Sequence, residues 1–86
     1  MPEHSELVDV FTRIDDPVMM EQFFQEIFTE SERQTLALRW KLMKLLDQGV
    51  TQRRIASDLR ISLCKITRGA KIMKDKQSVS YRLIHK

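Results

Sequence analysis

Two arginines and a glycine are the residues of this chain best suited to hold a small molecule. Arg39 lies in "RQTLALRWKLMKLLDQ", whose apolar residues recur at helical spacing. At about 100° per residue, Arg39 falls in the middle of the arc formed by Leu42, Met43 and Leu46, with Lys41 and Lys44 on the opposite side. A lone guanidinium on an apolar face is costly unless it is paired or stacked. Arg68 and Gly69 stand together in "ITRGAKIMK". Glycine inside a helix costs about 1 kcal/mol relative to alanine and persists where something must approach the backbone. Two readings fit these residues. Arg39 pairs with a glutamate such as Glu21 or Glu26 and Gly69 is a close-packing point, or Arg39 and Arg68 wall a small pocket with Gly69 leaving room between them. Arginine planes stack on aromatic rings and grip carboxylates, so a flat aromatic amino acid suits the second reading.

The same segment has the spacing of a second chemistry. From Gln52 to Ile66 the pattern fits a helix-turn-helix, with Ala56 small where two helices must cross closely. Ile55 and Leu59 are expected to face inward from the first helix. Leu63, Ile66, Ala70 and Met73 fall within an arc of about 80° on the second. Cys64, Lys65, Thr67, Arg68, Lys71 and Lys74 lie outside that arc, where they can reach a major groove and its phosphates. Arg60 occupies the turn position where glycine is usual, so it is expected to take a positive φ at a cost of about 1 kcal/mol. An ordinary helical hairpin with a basic side is the competing reading.

Every segment that positions these residues reads helical, and no period-2 strand pattern or repeat occurs. A first helix covers about Glu3 to Ile14. "DDP" breaks it, with Asp16 as N-cap and Pro17 at the first position of a second helix that runs to about Phe28. That helix is apolar on more than one face, which predicts packing within the subunit and against a partner. "TESE" at Thr29 to Glu32 fits a capping box and launches the longest helix, Glu30 to about Gln48, closed by Gly49. Thr51 caps a helix from Gln52 to about Leu59, Ser62 caps one from Leu63 to about Lys74, and a weak final helix spans about Val79 to His85. The fold class is therefore all-α, a single domain of about six helices. Residues 1–49 form a dimerisation core, 51–74 a reading head and 75–86 a C-terminal segment.

Composition narrows the function. Residues 1–32 hold nine acids and one base, a charge of −8, and residues 33–86 hold fourteen bases and three acids, +11, which together make the net +3. An acidic first third and a basic remainder point to a polyanionic partner for the basic part. A chain of 86 residues buries a small share of its surface and needs a disulfide, a metal or a partner. One cysteine, Cys64, permits no intrachain disulfide and suits a reducing cytoplasm. His4 and His85 lack metal-ligand spacing with it. A symmetric homodimer is the expected support. Apolar runs of two or three residues fall far short of the roughly 18 that cross a bilayer, so no membrane contact is expected. No paired carboxylates, nucleophile–base set or phosphate-cradling loop suggests an enzyme.

The stretch from about Phe28 to Lys74 resembles the tryptophan-dependent Trp repressor family, through "FTESER", "LALR", "TQRRIASDL" and "ITRGAKIMK". The resemblance implies an intertwined, all-helical homodimer with L-tryptophan as corepressor between Arg39 and Arg68 and no other cofactor. Gly69 would admit the ligand and Arg68 would bind its carboxylate. Phe28 and Thr29, with Glu26 and Ile27 nearby, would close the pocket through backbone carbonyls and a cap. Contacts to double-stranded operator DNA would fall on Arg53, Leu63, Cys64, Lys65, Thr67 and Lys74, with Arg53 suited to a bidentate guanine contact. Arg54 is a further phosphate candidate by charge and position, as is Lys71.

Three departures stand out. Ile72 replaces the small or hydroxyl residue common near the ligand's polar end, the loop "DQGVT" is one residue shorter than usual, and Ala56 stands where a lysine can contact phosphate. The expected function is a cytoplasmic, tryptophan-activated repressor. The rivals are a helix-turn-helix protein that is constitutive or gated by another ligand, and a module whose basic helix binds an acidic protein.

Overall fold

Each break between helices is a capping sequence, and the caps set nearly every boundary. The computed structural model describes residues 3–86, the side chains of Glu3 and His4 excepted. Six helices and no strand occur among the described residues: α1 (Glu3–Arg13), α2 (Pro17–Ile27), α3 (Glu30–Asp47), α4 (Gln52–Leu59), α5 (Leu63–Lys74) and α6 (Val79–Ile84). The Asp16 carboxylate accepts the Val18 N–H at 3.2 Å ahead of Pro17. Thr29 and Glu32 form the reciprocal capping box: the Thr29 hydroxyl accepts the Glu32 N–H at 3.1 Å, and the Glu32 carboxylate accepts the Thr29 N–H at 2.9 Å. Helix α2 ends one residue sooner than expected. Phe28 is already extended, at φ −112° and ψ 140°, because the chain must turn into the Thr29 cap.

The chain divides into two compact units, Met1–Gln34 and Thr35–Lys86. In the first, all four phenylalanines gather. Phe11 meets Phe23 edge-on at 5.3 Å and stacks with Phe28 at 6.3 Å, while Phe24 and Phe28 are 4.8 Å apart. These spacings lie in the favourable range for aromatic pairs. The Arg33 guanidinium donates to the backbone carbonyls of Phe28 and Gln25, satisfying acceptors that the end of α2 leaves without helical partners. No residue of α2 is buried, and Val18, Met19 and Ile27 stand exposed.

The second unit holds the core. Leu42 from α3, Ile55 from α4 and Ile66 from α5 are fully buried, with Met73 beside them in burial. Leu45, Leu46, Val50, Ala56, Leu59 and Ile61 pack around the first three. Helix α3 stops in a Schellman motif: Gly49 takes φ +85°, its N–H bonds the Leu46 carbonyl, and the Val50 N–H bonds that of Leu45. Thr51 and Ser62 then cap α4 and α5 by accepting the N–H of Arg54 and of Lys65. Between them Arg60 adopts φ 53° and ψ 46°, the left-handed conformation expected of the helix-turn-helix turn.

Leu63 corrects the expected inward face of α5. It is 61% exposed, because the first residue of the helix precedes the turn at which α5 reaches the core; Ile66, Gly69 and Met73 make the buried side. The C-terminal helix is better anchored than its sequence suggests. Ser78 caps it, Tyr81 stacks on His85 at 4.2 Å, and His85 Nε2 lies 2.6 Å from the Asp47 carboxylate at the end of α3.

The turn supplies a test. Arg60→Gly removes the cost of a Cβ at positive φ and is expected to raise stability by about 0.5–1 kcal/mol. Urea unfolding at fixed protein concentration measures it. An unchanged or lowered midpoint would mean that the Arg60 side chain makes a contact worth more than the strain.

Candidate ligand pocket and nucleic-acid interface

Residues three and four apart share one side of a helix, and that spacing assembles the candidate pocket. Helix α3 contributes Arg39, Leu42 and Met43, and α5 contributes Lys65, Arg68, Gly69 and Ile72. Together they line an open cleft of about 400 Å³, within the roughly 300–1,000 Å³ usual for small-molecule sites. Its floor is apolar and its polar side chains are all cationic. Arg39, Lys65 and Arg68 are exposed, and none makes an ion pair among the described residues.

Gly69 has a position that partly fits both sequence readings. A Cβ built on it would lie 3.3 Å from Leu42 Cδ2 and 3.5 Å from both Leu42 Cγ and Leu46 Cδ1. The missing side chain thus faces α3 and lets the two helices close. The Gly69 backbone still borders the cleft, at the seam where the walls meet. Lys65 and Met43 were not expected in the lining. Their spacing from Arg68 and Arg39 was the available signal, since each lies three or four residues away on the same helix.

The other expected pocket residues belong to the first unit. Glu26 is exposed in the last turn of α2. Phe28 is the half-buried C-cap whose carbonyl accepts from Arg33, and the Thr29 hydroxyl is engaged in its capping box.

The candidate nucleic-acid face is continuous along α5. Leu63, Cys64, Lys65, Thr67, Lys71 and Lys74 are all exposed, as are Arg53 and Arg54 in the first turn of α4. Arg54 Nε lies 3.4 Å from Asp58, an exposed i,i+4 pair. Such pairs contribute about 0.3–0.5 kcal/mol, too little to hold Arg54 away from a phosphate. Lys65 and Arg68 belong both to the exposed side of α5 and to the cleft.

A family model for the Trp repressor protein matches residues 3–85. The Trp operon repressor homolog of Chlamydia caviae is 31% identical over 70 residues, covering 80% of this chain and 69% of that protein. No solved structure matches the chain.

The seam at Gly69 makes a graded prediction. Gly69→Ala gains about 1 kcal/mol of helix propensity and asks Leu42 to yield a few tenths of an ångström, so stability should change by less than about 1 kcal/mol. Gly69→Leu overfills the contact and should cost about 1–3 kcal/mol. Chemical denaturation of both variants measures the difference; equal, near-zero effects would show that nothing packs there.

Proposed function

The chain belongs to the Trp repressor family, and from that premise we propose that it represses transcription as a homodimer when L-tryptophan fills the cleft between α3 and α5. The family is one of DNA-binding transcription regulators rather than enzymes. No helix of the described residues is long and apolar enough to cross a membrane. The regulated genes on this reading are those of tryptophan biosynthesis or uptake, and the protein acts in the cytoplasm.

One observation carries the reading. Arg39 and Arg68 lack ionic partners among the described residues and flank an apolar floor, and Arg68 shares α5 with the exposed cations. An indole on that floor stacks against guanidinium planes while Arg68 takes the carboxylate. The dimer itself is supported by α2, whose Val18, Met19 and Ile27 stand exposed within one chain. Ligand between α3 and α5 then favours the placement of paired α5 helices in successive major grooves, about 34 Å apart. Because binding free energies are linked, operator DNA tightens tryptophan binding by the same factor. Ile72 on the cleft wall favours a second reading, in which another ligand gates DNA binding or none does.

Arg39→Ala and Arg68→Ala are each expected to abolish tryptophan-dependent operator binding while leaving a folded dimer, read by titration of duplex DNA with and without L-tryptophan and by sedimentation. Retained dependence in both variants would refute the site. Arg53→Ala should cost about 1–3 kcal/mol at one base position and relax specificity there, whereas Lys74→Ala should weaken all sequences alike and flatten the salt dependence. Binding that does not fall steeply with salt would instead favour an acidic protein as partner.

A further inference from the structure

The cations of α5 do not stop where the helix does. Lys71 and Lys74 lie three residues apart in its last turn, both exposed. Asp75 then caps the helix in an extended conformation, and the exposed Lys76 follows in the turn to α6. That turn is fastened at several points. The Asp75 carboxylate accepts the Gln77 N–H at 2.9 Å, its carbonyl accepts the Ser78 N–H at 3.0 Å, and the Ser78 hydroxyl accepts the Tyr81 N–H at 3.1 Å. Further on, Tyr81 stacks on His85, whose Nε2 meets Asp47 at the end of α3. One Asp75 oxygen is thus committed to the backbone. None of Lys71, Lys74 and Lys76 makes an ion pair among the described residues.

We infer that Lys76, held in place by the α5–α6 turn, is a further phosphate contact that extends the nucleic-acid surface past the end of α5. The inference rests on reading α5 as the helix that enters a major groove. Such a helix puts its N-terminal residues at the base edges, so its C-terminal end leaves the groove beside the phosphate backbone. That end is not neutral by itself. The helix macrodipole places about half a negative unit there, and Asp75 adds a full one. Against both, Lys71 and Lys74 leave only about half a unit of positive charge to draw a phosphate. Lys76 raises it to about one and a half. Two residues of extended chain span at most about 7 Å, so Lys74 and Lys76, each on a flexible stem, can serve one stretch of backbone.

Titration of the full chain against mixed-sequence duplex DNA over a range of salt, with and without L-tryptophan, tests this. Lys76→Ala is expected to weaken binding several-fold on every duplex. It should also flatten the slope of log K against log salt by about 0.9 per subunit, about 1.8 in a homodimer. Lys76→Arg should keep the slope. Lys44→Ala, which removes an exposed cation of α3 and changes the net charge equally, should leave it unaltered. Asp75→Asn keeps an acceptor for the turn and should tighten binding several-fold. An undiminished slope in Lys76→Ala overturns the inference, as does an equal flattening in Lys44→Ala, which would make the effect one of net charge alone. Asp75→Asn without tighter binding would put phosphates out of reach of the turn and overturn it too. Wild-type binding that does not weaken steeply with salt removes the DNA-binding reading itself, and the inference with it. Steep wild-type dependence with an unchanged Lys76→Ala removes this contact alone.

Discussion

Helix α5 lies against α3 at a place where one added carbon would press on Leu42, and the placement of the candidate cleft and of the cations along α5 follows from that contact. Gly69 brings the helices together at the bottom of the cleft. Arg39 and Arg68, on either side of the seam, are thereby set opposite one another with an apolar floor between them. The same contact turns Ile66 and Met73 into the core, which leaves Lys71 and Lys74 outward. Glycine in a helix interior is a local cost, about 1 kcal/mol against alanine. It is repaid where the buried leucines of α3 meet α5 at van der Waals distance.

What could be read from the sequence was what local chemistry determines. Asp16, Thr29 with Glu32, Thr51 and Ser62 each cap the helix that follows, because a short side chain with an acceptor satisfies the N–H groups two or three residues on. The left-handed turns at Gly49 and Arg60 follow from their places after a helix end and within a helix-turn-helix. What could not be read is tertiary. Asp47 and His85 are 38 residues apart, and nothing in either segment announces that they meet. Leu63 was mistaken for a core residue because periodicity gives a direction around the helix axis and not the distance along it to a neighbour. The candidate pocket was half legible: the two arginines and Gly69 stand out as local oddities, whereas Lys65 looks like any exposed cation until α3 is placed beside it.

Charge and burial divide differently along the chain. The acidic residues concentrate before Arg33, and the buried core lies wholly after Thr35. The first unit has aromatic contacts but an α2 without a buried residue. An element with exposed Val18, Met19 and Ile27 is poorly stabilised by its own chain. Burying such side chains is worth about 1.5–3 kcal/mol each, and the proposed dimer is where that free energy can be gained.

A core built on Leu42, Ile55 and Ile66 leaves the second unit only modestly stable on its own. Anything that binds the folded form alone then contributes a large fraction of its stability: a ligand at a hundred times its dissociation constant adds about 2.7 kcal/mol. On the proposed reading, a molecule wedged between α3 and α5 therefore acts on two equilibria together, the orientation of α5 and the persistence of the α3–α5 contact. The two are coupled through the floor of the cleft, because Leu42 is at once a core residue, the neighbour of Gly69 and part of the lining. Looser packing at Leu42 would weaken the floor of the cleft and loosen α5 in the same step. The candidate pocket and the hydrophobic core are, at that residue, a single structure.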